Sequence, residues 1–174
     1  MKATGVVRRI DELGRIVIPK EIRKNFRIKE GEIVEIYIDD NNIILKKYSE
    51  LKNVSDISSN IIDSVFSVIN KDIIITDMSN IMELSSSLKN VFFNKELSVE
   101  YQNMLSKREK IIQKSSKNLC ITDQIVDYSY IVNPMIVNGD LIGSIVLLSK
   151  DTITNNDIIV VDIITKILTK YIEE

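Results

Sequence analysis

Histidine is absent from the 174 residues, and cysteine occurs once, at Cys120. The first absence removes the commonest general base and the commonest metal ligand together. With the second, neither a Cys/His zinc site nor a Ser-His-Asp triad can be built. Carboxylate and lysine chemistry stay open, yet no constellation of either stands out. No catalytic residue, no metal ligand and no cofactor is therefore expected, and an enzyme is not. A lone cysteine forms no internal disulfide, in keeping with a reducing compartment. Long hydrophobic runs are missing as well: none exceeds five residues, too short to cross a bilayer. The opening "MKATGVVRRID" lacks the apolar stretch of a secretory signal. A cytoplasmic protein with no membrane partner is the expectation.

What is present suits an ordinary soluble protein. Apolar residues make up 44% and charged residues 28%, enough for one domain or two small ones. The charge is unevenly placed. Residues 1–29 hold nine Lys/Arg against three Asp/Glu, a net of +6, whereas residues 53–174 hold eleven against sixteen, a net of −5. A basic head on an acidic body points to a polyanionic partner for the head. The plainer reading is surface pairing of these cations with Asp11, Glu12, Glu21 and Glu30. Exposed pairs contribute little, about 0–1 kcal/mol each, which does not account for the clustering.

The periodicity predicts an α+β protein in three parts. Residues 1–50 read as a β-rich head. "TGVVRRID" and "RIVIP" are expected strands around a "DELG" turn, and Pro19 opens a short helix over "KEIRKNF". Ile16, Val17, Ile18, Ile22 and Phe26 are the expected core. "KEG" turns the chain into "EIVEIYI", and "DDNN" turns it again into "IILKKY". A domain this small buries too little surface to be comfortable alone, and its strand edges need cover. Interleaving with a second copy is the expectation. Residues 51–70 predict an amphipathic linker helix, with Val54, Ile57, Ile61, Val65 and Val68 on one stripe and Ile62, Phe66 and Ile69 widening it.

Residues 71–174 predict an antiparallel sheet with flanking helices. "DIIITD" is a buried strand. "NKELSVEYQNMLSKREKII" is a helix with Leu97, Tyr101, Met104 (or Leu105), Arg108 and Ile111 on one face. "NLCITDQIV" ends in a short strand, and "YSYIVNPMIVNGDLIGSIVLLSKD" is a hairpin about "VNGD". The final helix buries Val160, Ile163, Ile164, Ile167, Leu168 and Tyr171. Gly139 and Gly143 belong to the hairpin, not to a phosphate cradle. Asp77, Asp123 and Asp127 read as caps or surface groups, and Cys120 as a small buried residue.

The string "RRIDELGRIVIPKEIR", within residues 1–50, resembles the AbrB-type DNA-binding domain of bacterial transition-state regulators. The second half, with its linker helix and "NPMIVNGDLIGSIVLLSKD" hairpin, resembles the GAF-like domain of a family of sporulation regulators. The resemblance implies a swapped-hairpin dimer at the N-terminus and control of genes late in endospore formation. It implies contacts to double-stranded DNA by Arg8, Arg15 and Arg23, with Lys24 standing where the family carries a fourth arginine. Lysine keeps the charge but loses the bidentate fork, so Lys24 is expected to meet phosphate only. Lys20 is an auxiliary contact. The linker helices and second domains are expected to join dimers into a homotetramer associated with the nucleoid. A small-molecule effector of the GAF-like domain has no assigned residues. Two alternatives stay open: an antitoxin-like autoregulator, and a metabolite-binding module with incidental DNA binding.

Overall fold

A computed structural model of the chain describes residues 5–26, 28, 30, 33–49, 51, 54–93 and 95–173. The chain forms two compact units, Met1–Tyr48 and Ser49–Glu174.

In the first unit Pro19, with φ −58°, leads into helix α1 (Lys20–Asn25). Its missing N–H costs nothing there, because a helix start has no acceptor for it. Strands β1 (Val34–Asp39) and β2 (Asn42–Lys47) form the expected hairpin, with Ile38 opposite Ile43 and Asp39 opposite Asn42. Asp40 takes the left-handed conformation that the turn requires, with φ +50°, which short polar side chains tolerate. The strands expected at "TGVVRRID" and "RIVIP" do not form within one chain; residues 5–18 carry no strand ladder. A strand needs a neighbour, and this unit offers these segments none. The core expected there is likewise incomplete. Val17 is 74% and Phe26 65% exposed, Ile16 is exposed, and Ile18 and Ile22 are only half-buried. Arg27, and the Lys29 and Gly31 of the expected "KEG" turn, lie outside the described residues.

The second unit is a five-stranded antiparallel sheet covered on both faces. Its strands are β3 (Asp72–Thr76), β4 (Ile81–Leu84), β5 (Ile111–Leu119), β6 (Val126–Val137) and β7 (Asp140–Ser149), in the order β4-β3-β7-β6-β5. Helices α2 (Ser55–Ile69) and α5 (Asn155–Glu173) pack over Ile73, Ile75, Ile131, Met135, Ile145 and Leu147. The short helices α3 (Lys89–Phe92) and α4 (Val99–Leu105) pack over Ile74, Tyr130, Val132, Val146 and Leu148. The alternation along each strand sends successive side chains to opposite faces. Two covered faces therefore give β3 and β7 unbroken apolar runs, Ile73 to Ile75 and Ile145 to Leu148.

Helix α2, expected as a linker, lays Ile62 into the core and packs Ile57, Ile61, Val65 and Ile69 beside it. It ends where Asn70 adopts φ +50° and donates its N–H to the Phe66 carbonyl at 2.9 Å, a left-handed helix stop. Val68 does not join the stripe; it is 82% exposed. The expected helix through Ile111 is shorter. Ser98 caps α4 by accepting the Tyr101 N–H at 3.0 Å, the helix ends at Leu105, and Arg108 reverses the chain with φ +60°. Ile111 then opens β5, an edge strand. Along α5 the buried positions are Asp157, Val161, Ile164 and Leu168, while Ile163, Ile167 and Tyr171, expected inside, are exposed. This helix is apolar around more of its circumference than the sheet can cover.

The β6–β7 hairpin turns through Asn138 and Gly139, with φ +50° and +86°, the pair of positive values that a two-residue turn between twisted strands demands. Gly143 answers a different need. A Cβ placed there would lie 1.9 Å from the Thr76 carbonyl oxygen of the neighbouring strand. Beside it the hydroxyls of Thr76 and Ser144 lie 2.7 Å apart, and that of Ser144 meets the Tyr101 hydroxyl at 2.8 Å. Burial raises the Tyr101 hydroxyl pKa well above its ordinary value, against the lowering effect of Ser144. At the other end of the sheet Lys71 reaches the Asp157 carboxylate at 2.5 Å. Burial pushes that carboxyl up, but Lys71 and the N–H and hydroxyl of Thr154 outweigh burial and hold it below its usual range. Replacing Gly143 by alanine forces β3 and β7 apart. We expect Gly143→Ala to cost roughly 1–3 kcal/mol, the usual range for overpacking, read as a drop in Tm; an unchanged Tm would contradict the close approach.

Candidate nucleic-acid interface

The basic residues of the head gather on two local structures, a turn and a helix. The turn is organised by one carboxylate. Asp11 Oδ1 accepts the Leu13 N–H at 3.0 Å and the Arg15 N–H at 2.8 Å, and Oδ2 accepts Arg15 Nε at 2.8 Å. The Asp11 N–H donates to the Arg15 carbonyl at 3.1 Å, and the Gly14 N–H to the Asp11 carbonyl at 2.9 Å. Gly14 sits at φ +75°, which glycine adopts without a Cβ penalty. Asp11 thus closes its own backbone turn, as short acidic side chains do, and fixes the direction of the Arg15 guanidinium. The Arg15 N–H, then its guanidinium, lower the Asp11 pKa.

The pairing of Arg15 with Asp11 does not hide it. The Arg15 side chain is 71% exposed, and Asp11 engages Nε, leaving the two Nη groups without a partner among the described residues. Exposed pairs of this kind are weak and screened by salt. Arg8, at the other end of the turn, is exposed and touches no carboxylate among the described residues; its Nη1 donates to the Val7 carbonyl at 3.0 Å. Glu12, Glu21 and Glu30 form no ion pair among the described residues. Pairing thus accounts for one cation of the cluster.

On α1, Lys20 and Lys24 are exposed, and Arg23 is half-buried. The Arg23 Nε is buried with no hydrogen-bond partner among the described residues. Leaving such a donor unsatisfied costs about 1–3 kcal/mol. Around these cations Val7, Ile10, Val17, Phe26, Ile36, Ile38 and Ile43 are all exposed. The role of Asp11 as the organiser of the turn was not legible in advance, although an aspartate three residues before Gly14 is the available signal.

The second unit shows a different chemistry. Asp77 accepts the N–H groups of Ser79 and Asn80, both at 2.6 Å, and Asp127 accepts the Ser116 hydroxyl at 2.8 Å. Both are used locally. Cys120 is half-buried, and its thiol lies 3.0 Å from the Thr122 carbonyl. An apolar groove of about 420 Å³ runs between α2 and α5, lined by Ile57, Ile61, Val65, Ile163 and Ile167 among others. Among the described residues no group of carboxylates or cysteine could hold a metal ion, and no helix is long and apolar enough to cross a membrane.

Known proteins fall on these same two units. The family described as stage V sporulation protein T C-terminal, transcription factor, matches residues 53–173. Stage V sporulation protein T of Bacillus subtilis (strain 168) is 39% identical over 154 residues, 87% of this chain and 86% of that protein. This chain belongs to the stage V sporulation protein T family. Its head, residues 7–53, also matches the family described as antidote-toxin recognition MazE, bacterial antitoxin. Over 48 residues it is 60% identical to the transition state regulatory protein AbrB of the same organism, 28% of this chain and 50% of that protein. The second unit shares its fold with the cofactor-binding GAF domain of the nutrient sensor CodY from Clostridium difficile. That likeness has a TM-score of 0.52 at 13% identity, and covers 66% of this chain and 83% of that one. The expected family and the expected GAF-like fold of the second unit are thereby established, the head is similar in sequence to AbrB, and the family is one of sporulation transcription regulators.

The Asp11–Arg15 contact has a pH signature. A lowered pKa means the carboxylate stabilises the turn fully above its unfolded value near pH 4, and that this stability is lost as pH falls through the lower folded value. In Arg15→Ala the Asp11 titration midpoint, followed by carbon-detected NMR, is expected to rise partway toward that value, because the backbone N–H of residue 15 stays. An unmoved midpoint would show that the guanidinium does not hold the carboxylate.

Proposed function

We propose that this member of the stage V sporulation protein T family binds duplex DNA with a dimeric head and regulates genes late in endospore formation. The observation that carries the reading is the head's turn, which presents Arg8 and Arg15 outward with the Arg15 fork held in one direction by Asp11. Arginine forks suit phosphate oxygens and guanine edges. Arg23 would supply a further guanidinium, and Lys24 and Lys20 point charges for phosphate. The exposed apolar residues of the head support a second copy, whose strands would interleave with residues 5–18 and cover Val7, Ile10 and Val17. A dimer doubles the set of cations and suits a two-fold site.

The second unit would assemble such dimers. The groove between α2 and α5, with Ile163, Ile167 and Tyr171 exposed beside it, fits a helical seam between copies and a tetramer. The reading includes no catalytic step, a cytoplasmic and nucleoid-bound location, and a small-molecule effector of the GAF-like unit as a further partner. The antitoxin reading has the match of residues 7–53 behind it. Against it stands residues 49–174, a sheet with two apolar cores, unlike a tail that folds around a toxin.

Two experiments test the proposal. Arg15→Ala and Arg23→Ala are expected to abolish tight binding in a gel shift while the oligomer mass is unchanged, and wild-type affinity is expected to fall steeply with added salt. An unaltered shift in both variants, or a flat salt titration, would sink the DNA reading. Separately, Ile167→Asp in the groove is expected to lower the oligomer mass in light scattering without changing the circular dichroism of the chain; a retained tetramer would place the seam elsewhere.

A further inference from the structure

The acidic second unit holds one strongly basic strip, and the DNA reading of the head does not use it. Residues 107–117 carry Lys107, Arg108, Lys110, Lys114 and Lys117 against one carboxylate, Glu109, while the rest of residues 53–174 holds six Lys/Arg against fifteen Asp/Glu. All five cations are exposed. They occupy the turn after α4 and the edge strand β5, whose outer side has no neighbouring strand.

Internal partners account for two of the five. Lys110 pairs with Asp162 on α5, and Arg108 Nη1 donates to the Gly139 carbonyl at 2.8 Å, pinning the turn to the β6–β7 hairpin. Asp127, the nearest carboxylate on β6, accepts from Ser116 instead. Lys107, Lys114 and Lys117 have no ion pair among the described residues. The Ile153 N–H reaches the Lys114 carbonyl at 3.3 Å; lysines on an edge strand discourage strand-to-strand association, but two or three would suffice for that, and the segregation of charge over the whole unit would not follow.

We propose that this strip is a second contact to duplex DNA, meeting the phosphates that flank the site held by the head. The occupant follows from charge and from tethering. A strip of this sign attracts a polyanion, and the strip is covalently joined to a unit read as holding one, which makes that duplex the polyanion at highest effective concentration. Lys114 and Lys117 stand on a bulged stretch of β5, where Gln113 to Lys117 spans only Tyr130 to Tyr128 of β6, so the two cations are gathered more closely than an unbroken strand would set them and suit neighbouring phosphates of one DNA strand. The inference rests on the DNA reading of the head and adds flanking length to it. Phosphate contacts carry no sequence information, so the strip supplies affinity and not sequence choice.

The test uses the full chain with Lys107, Lys114 and Lys117 replaced together by glutamine, and a second variant with arginine at the same positions. Affinity is measured from 50 to 200 mM salt on a duplex trimmed to the footprint of the head and on one extended on both sides. On the extended duplex the glutamine variant is expected to lose salt dependence, its affinity ratio between 50 and 200 mM shrinking by roughly 3-fold for each lysine that meets a phosphate. The arginine variant is expected to behave as wild type, and on the trimmed duplex all three proteins should agree. An unchanged salt slope for the glutamine variant on the extended duplex would overturn the proposal and leave the head reading intact. An equal loss on both duplexes would also overturn it, because the lysines would then act through the head or the assembly. A wild-type chain that binds neither duplex would overturn both readings.

Discussion

Apolar side chains must leave water, and the two units of this chain meet that demand with very different means. The second unit has a sheet thick with isoleucine, valine and leucine and enough helix to cover both of its faces. Among the described residues the first has one hairpin and one six-residue helix, and it leaves Val7, Ile10, Val17, Phe26 and Ile38 in solvent. Burying a side chain of this size is worth about 1.5–3 kcal/mol. Several such side chains left exposed are a driving force comparable to the whole stability of a small domain. On the reading proposed above, assembly of the head would be a folding requirement before it is a regulatory device. The same holds in weaker form for α5, whose Ile163 and Ile167 line a groove that the sheet does not fill.

Electrostatics follows this division. Cations that surround an incomplete apolar surface stay outside when a second copy completes it. The Asp11 carboxylate costs the head one negative charge near a polyanion, yet it converts a flexible arginine into an oriented one. Orientation reduces the entropy that a long side chain loses on binding, which offsets the repulsion. Lys24 has no such partner among the described residues and keeps the freedom of a point charge.

Legibility in the sequence tracked burial. The β6–β7 hairpin announced itself through Asn138–Gly139 between two apolar runs, and β3 through three consecutive isoleucines. Strand β5 was hidden because an edge strand exposed on most positions shows no alternation, and "SKREKIIQ" reads as a helix from its propensities. The face of α5 was misplaced because its apolar residues surround it; period alone does not say which arc the sheet will take. Residues 5–18 read as strands and are not strands in one chain, since pairing depends on a partner that local pattern cannot supply. In the candidate site the cations were legible by charge, whereas the hydrogen bonds that orient Arg15 come from turn geometry.

Pro134 lies within β6, a strand flanked on both sides over much of its length. It faces Ser144 on β7, but β5 begins only at Ile111, opposite Val132, so β6 has no neighbour on its other side at Pro134. An imino acid there leaves a gap in the row of donors that a foreign strand would need. Addition of a foreign strand is thus disfavoured along the stretch where β5 falls short, without any charged side chain having to stand guard there.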